Sequence, residues 1–120
     1  MNNRFLVIAT LSGTSFDDNE VWSNQWKVGT FEQLGTCYLE SQIDMKQTIR
    51  DSFEYRFEDE ENGEEELTKL VEEVFSGYET CHRLEKDLEL FEPTIILSLQ
   101  FEPNEYALVE INYLVIRIKD

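Results

Sequence analysis

The sequence predicts one α+β domain over residues 1–120, a mainly antiparallel sheet of about five strands with two or three helices packed on one face. Three observations predict it. Strand-like alternation lies near both ends of the chain, and helical spacing fills the stretch between. The 120 residues are 41% apolar and 12% aromatic, enough for one packed core and too few residues for two.

Residues 4–11 read as the first strand, with Phe5, Val7, Ala9 and Leu11 on one face. Ser12–Ser15 reads as a turn, and Asp17, Asp18 and Asn19 as a loop tip. Two short strands are expected next, Gln25–Phe31 and Thr36–Gln42. Asp44 followed by Gln47 resembles a capping box, and Met45, Ile49, Phe53 and Phe57 then repeat every four residues along a helical stripe. Asn62 and Gly63 break that helix.

A second, longer helix follows. Leu67, Leu70, Val74, Gly77, Cys81, Leu84, Leu88 and Phe91 alternate by three and four residues, a heptad seam that Val71, Phe75 and Tyr78 widen. Pro93 ends it, and Gly77 marks either a bend or a close neighbour that needs the missing side chain. Thr94–Glu102 forms a strand with Ile95, Leu97, Leu99 and Phe101 inward. Pro103, Asn104 and Glu105 turn the chain into a last strand, Tyr106–Lys119. In it the apolar set Ala107, Val109, Ile111 changes phase to Leu114, Ile116, Ile118, which predicts a β-bulge near Asn112 and Tyr113 or burial on both faces.

The net charge is −16, and most of it lies in one segment: residues 58–92 carry fourteen acids and three bases. Glu58, Asp59, Glu60, Glu61, Glu64, Glu65 and Glu66 place seven acids in nine residues. An EF-hand register with Gly63 at its sixth position would put Glu65 at the apolar eighth and Lys69 at the bidentate twelfth, so calcium in that mode is excluded. Glu64–Glu66 fit the first turn of a helix, where the macrodipole favours acids. Further along, Glu72, Glu73, Glu79 and Asp87 continue the acids of that turn as a negative rail opposite the seam, interrupted by Lys69, Arg83 and Lys86.

Phosphate recognition needs clustered Lys and Arg, so this charge argues against direct nucleic-acid binding. Neither CxxC nor HExxH, no GxSxG and no phosphate-binding glycine loop occurs, so no catalytic residue, metal or cofactor is expected. Cys81 and His82 are neighbours on a helix and point about 100° apart, which leaves only Cys37 with His82 as a conceivable catalytic pair. The two cysteines read as reduced, buried thiols. The apolar run Phe5–Leu11 is too short for a membrane helix, and no signal cleavage motif follows it, so the chain is expected in the cytoplasm and off the membrane.

Trp22, Trp26, Phe16 and Phe31 read mainly as core, but Trp22 beside Asp17, Asp18 and Glu20 also fits an interface anchor. In charge and size, the chain resembles small acidic antagonists of basic nucleic-acid-handling proteins. These include immunity proteins of bacterial toxin systems and phage proteins that mimic DNA. The resemblance implies a non-enzymatic protein that neutralises a basic partner, most simply an immunity protein for a nuclease-type toxin. The expected binding residues are Glu58, Asp59, Glu60, Glu61, Glu64, Glu65, Glu66, Glu72, Glu73, Glu79 and Trp22. The alternatives are a DNA mimic against a host defence enzyme, and an acidic structural domain, monomeric or weakly dimeric, with no such partner.

Overall fold

The computed structural model describes residues 3–80 and 94–119. Strand β1 (Asn3–Ser15) buries Phe5, Val7 and Ala9 on one face, with Leu11 packed against the same core. It runs through Ser12–Ser15, where a turn was expected. The reason is that β1 lies between two neighbours, and all thirteen of its residues have a register partner on strand β5 (Ala107–Lys119). The chain reverses at the expected loop tip, where Asn19 takes a left-handed φ of 57°. Strand β2 (Val21–Phe31) returns along β1 and carries the expected Gln25–Phe31 within it.

Thr36–Gln42 is not a strand but part of helix α1 (Leu34–Phe53). Its buried positions are Cys37, Ser41, Met45, Ile49 and Phe53, every fourth residue. The stripe read at Met45–Phe57 therefore extends back through two small residues whose side chains give little apolar signal, and the helix ends at Phe53, leaving Phe57 beyond it. Asp44 and Gln47 lie in the helix interior and cap nothing. The N-cap is Gln33, with no side-chain capping bond. A single 3₁₀ turn, Glu54–Arg56, follows α1, and Asn62 and Gly63 mark a helix start, as N-cap and first residue of α2 (Gly63–Phe75).

Helix α2 has the expected apolar face, with Leu67 and Val71 buried and Leu70 and Val74 packed against the core. It ends at Phe75, just before Gly77, where a bend was one of the two expected alternatives. Ser76 N–H bonds back to Glu72 O, Gly77 N–H to Val74 O and Tyr78 N–H to Phe75 O, which tightens the chain out of the helix. Glu79–Thr80 then forms β3, paired with Ser98 and Leu97 of strand β4 (Thr94–Asn104). A Cβ at Gly77 would meet only ordinary contacts, Val74 O at 3.5 Å and Leu99 at 3.8 Å, so no close neighbour demands the glycine. The rest of the seam, Cys81 to Phe91, with His82, Asp87 and Pro93, lies outside the described residues.

The five strands form one antiparallel sheet in the order β2-β1-β5-β4-β3, and α1 and α2 pack on one face of it. Strand β5 keeps one phase throughout: Val109, Ile111, Tyr113 and Val115 are buried, and Leu114, Ile116 and Ile118 are half-buried on the other face. Of the two expected readings, burial on both faces holds for β5, and a bulge occurs in β4. Ile95 pairs with Leu114 and Leu97 with Tyr113, which leaves Ile96 as the extra residue. Ile96 is accordingly buried beside Leu97, while Ile95 faces solvent.

Two substitutions check this packing by urea or thermal denaturation. Ile49→Ala, emptying a fully buried site under α1, is expected to cost about 2–5 kcal/mol. Gly77→Ala, in an exposed turn with room for a methyl group, is expected to stay within ~0.5 kcal/mol. A large loss at Gly77 would mean a tighter neighbour than Val74 and Leu99.

Candidate binding surface

The acidic loop between α1 and α2 is built from two backbone turns, Glu60 N–H to Phe57 O at 3.3 Å and Gly63 N–H to Glu60 O at 3.1 Å. Gly63 is needed at this point, because a Cβ there would lie 2.3 Å from Phe57 O. The 3₁₀ turn ahead of the loop is anchored to the β4–β5 turn. Tyr55 Oη and Arg56 Nη2 both donate to Pro103 O. That turn is in turn tied to the β1–β2 turn, since Phe16 N–H donates to Tyr106 O at 2.7 Å. Three acid-bearing connections thus share one end of the molecule. They hold Glu54, Glu58, Asp59, Glu60 and Glu61, then Glu102 and Glu105, then Asp17, Asp18 and Glu20, all exposed.

All of the sequence-predicted site residues are exposed, but they do not form one surface. Glu64 and Glu72 turn towards α1, where Arg50 bonds Glu64 and Lys46 Nζ lies 2.9 Å from Glu72. Glu66 is within 3.9 Å of Lys69. Among the described residues, Glu58, Asp59, Glu60, Glu61, Glu65 and Glu73 form no ion pair. Glu79 leaves the rail altogether. As a β3 residue paired with Ser98, it stands on the sheet face away from the helices, near Glu110. The rail ends in the last turns of α2 because the chain there changes from helix to strand.

Trp22 is 45% exposed, and its indole seats on Gly13 across the strand pair, where a Cβ would come within 2.2 Å. Phe16 and Tyr106, in the adjoining turns, are exposed as well. Trp26 belongs to a different site. Its Nε1–H donates to Asp44 Oδ2 at 3.1 Å, and Tyr113 Oη donates to the same oxygen at 2.7 Å. Burial first, and then the Asp44 carboxylate, push the Tyr113 hydroxyl far above the ordinary phenol range. Beside this network, Leu11, Trp26, Asp44, Gln47, Thr48, Asp51 and Ser52 line a groove of about 340 Å³ between α1 and the β1–β2 side of the sheet. No local motif announces it, since its residues come from three separate elements.

On the open face, Asn112 and Gln100 donate to Glu110 and lower its pKa, the Asn112 bond contributing more. Cys37 is fully buried, donates to Gln33 O, and is pushed up to about 11 by desolvation. It is therefore a thiol at neutral pH and not an activated nucleophile. Among the described residues, no three His, Cys, Asp or Glu side chains gather to hold a metal ion, and no helix is long and apolar enough to cross a membrane. The chain matches no protein-family model and is similar to none of the curated proteins or solved structures compared with it.

Burial of the Tyr113 hydroxyl, and then its bond to Asp44, make stability depend on alkaline pH. An unfolded tyrosine ionises near pH ~10, whereas the folded Tyr113 resists ionisation. Its contribution is therefore complete below pH ~10 and is lost as pH rises further. Tyr113→Phe is expected to lower stability by ~1.5–3 kcal/mol at neutral pH and to flatten the alkaline decline measured by urea midpoints. An unchanged decline would show that Tyr113 is not the group responsible.

Cys37 gives a separate check on the core. In a Cys81→Ser background, a thiol reagent should modify Cys37 only as fast as the protein opens. Rapid stoichiometric modification under native conditions would contradict its burial.

Proposed function

We propose that this chain is a non-enzymatic binding protein that neutralises a basic partner, as an immunity protein does for a nuclease-type toxin. The observation that carries this reading is the clustering of acids at one end of the molecule. The Glu58–Glu61 loop, the β4–β5 turn and the β1–β2 turn are joined there by backbone-directed bonds. Solubility alone does not call for three acidic connections fastened together. Such a surface accelerates encounter with a basic protein and repels nucleic acid and acidic competitors.

The acids serve two purposes on this reading. Glu64 and Glu72 hold α2 to α1 through Arg50 and Lys46. The outward group Glu58, Asp59, Glu60, Glu61, Glu65 and Glu73 provides the field. Trp22 and Tyr106 supply apolar area that charge alone lacks, which suits an interface with a buried centre and a charged rim.

The test begins with capture of partners from the source lysate at low salt and elution by increasing salt. A nuclease-like basic protein retained after surface charge is screened supports the reading. Glu58, Glu60, Glu61 and Glu65 to Lys should then slow association by about tenfold or more and flatten its salt dependence, with dissociation changed little. Unaltered association kinetics, or a broad set of basic proteins all leaving at low salt, would overturn it.

A further inference from the structure

The sheet has two unequal edges. Among the described residues, one is β3, two residues long, and the other is β2, eleven residues long with no strand beyond it. Long open edges are a hazard that proteins blunt with charge, bulges or cover. The second half of β2 is blunted in this way, by Lys27 and by the extra residue Val28 between the pairs Val7–Gly29 and Ile8–Lys27. The first half, Val21–Trp26, carries no charge and no bulge.

The hydrogen-bonding phase of that half can be counted. Ser15 N–H bonds Glu20 O, so in steps of two the pairs Gly13–Trp22, Leu11–Asn24 and Ala9–Trp26 are the bonded ones. Val21, Ser23 and Gln25 therefore direct their N–H and C=O groups outward. Gln25 N–H accordingly turns to the side chain of its own neighbour, Asn24 Oδ1, at 3.0 Å. That bond occupies the place a carbonyl of an added strand would take.

Beside the edge, on the helix side, lies the groove of Leu11, Trp26, Gln47 and Asp51. Side chains of an added strand point alternately to the two sheet faces, so every second one would reach this side. Asp44 is already bonded by Trp26 and Tyr113. Among the described residues Asp51 is bonded only by the Gln47 amide, at 2.9 Å. The indole of Trp26 and the Asp51 carboxylate together suit the stem and head of an arginine or lysine.

From this juxtaposition we infer that the Val21–Gln25 edge binds an extended strand of a partner, with a cationic side chain entering the Trp26–Asp51 groove. The inference rests on the basic-partner reading and names how that partner is gripped. Charge selects a foreign strand over a second copy of this chain. A second copy would bring another body of −16, and the only cation in its β2, Lys27, pairs with Ile8 and so stands on the sheet face opposite the groove.

The probe is an end-blocked peptide of roughly ten residues alternating arginine and valine, long enough to span the edge. Both tryptophans of the chain are in β2, so their emission reports the site directly. Saturable binding is expected, weakened about tenfold or more by Gln25→Pro, which removes an outward donor without touching the ladder to β1. N-methylation of alternate peptide amides should weaken binding similarly and needs no change in the protein. Asp51→Asn should reduce the preference for arginine over glutamine peptides. Glu65→Lys with Glu73→Lys should alter mainly the salt dependence.

Affinity untouched by Gln25→Pro and by N-methylation, but lost on reversing Glu65 and Glu73, would overturn the edge and leave the basic-partner reading standing. Binding indifferent to every one of these changes would overturn both. A dimer that Gln25→Pro converts to monomer, with no peptide bound, would show that a second copy takes the edge and overturn the inference.

Discussion

Everything else in this molecule depends on one helix lying across one face of the sheet. Helix α1 buries Cys37, Ser41, Met45, Ile49 and Phe53 against it, and Phe53 reaches the ring of Phe101 at 5.8 Å. Sheet and helix are each apolar on one side, and neither is stable with that side in water. The Asp44 carboxylate fixes how they meet, because it receives Trp26 from β2 and Tyr113 from β5. Two strands that are not adjacent are thereby referred to one point on the helix. A polar contact of this kind is costly unless satisfied, and its satisfaction discriminates against slipped arrangements.

The rest of the helical layer follows from that placement. Helix α2 lies beside α1 and is held by Leu67 and Val71 underneath, with Lys46–Glu72 and Arg50–Glu64 at the surface. Exposed pairs of this type contribute little stability individually. Their effect is local: they neutralise the acids nearest α1 and leave the uncompensated ones facing outward. The end of α1 also delivers Tyr55 and Arg56 to Pro103 O, which brings the acidic loop to the hairpin turns. The distribution of charge is thus a consequence of backbone geometry as well as of composition.

Much of the fold was legible because strands β1, β4 and β5 and the face of α2 carry dense apolar patterns. Where reading failed, the reason is specific. Cys37 and Ser41 are small residues on a buried helical stripe, so Thr36–Gln42 looked like a short strand. The heptad pattern continued past Phe75 in spacing, but Glu79 and Thr80 pair with β4, and backbone pairing outweighs side-chain periodicity. About five strands were expected and the described residues contain five, Glu79–Thr80 making up the number in place of Thr36–Gln42. The phase change in β5 reflects burial on both faces, the second of its two expected readings, since Leu114, Ile116 and Ile118 are half-buried opposite Tyr113 and Val115. Of the expected binding residues, the exposure of the acids was foreseeable from their charge. Their division between helix, loop and the far face of the sheet was not.

By itself the sequence determined the class of fold, the acidity and its concentration in one segment, and the lack of charge along the first half of β2. These are local or additive properties, set by residue type and spacing along the chain. Only the tertiary structure decided that Gly13 seats Trp22, that Glu79 lies apart from the rail, and that β2 is an edge with the Trp26–Asp51 groove beside it. Each of these depends on pairing between segments far apart in sequence. Such pairing is chosen by the whole core at once, through burial and hydrogen bonding that no short window of residues contains.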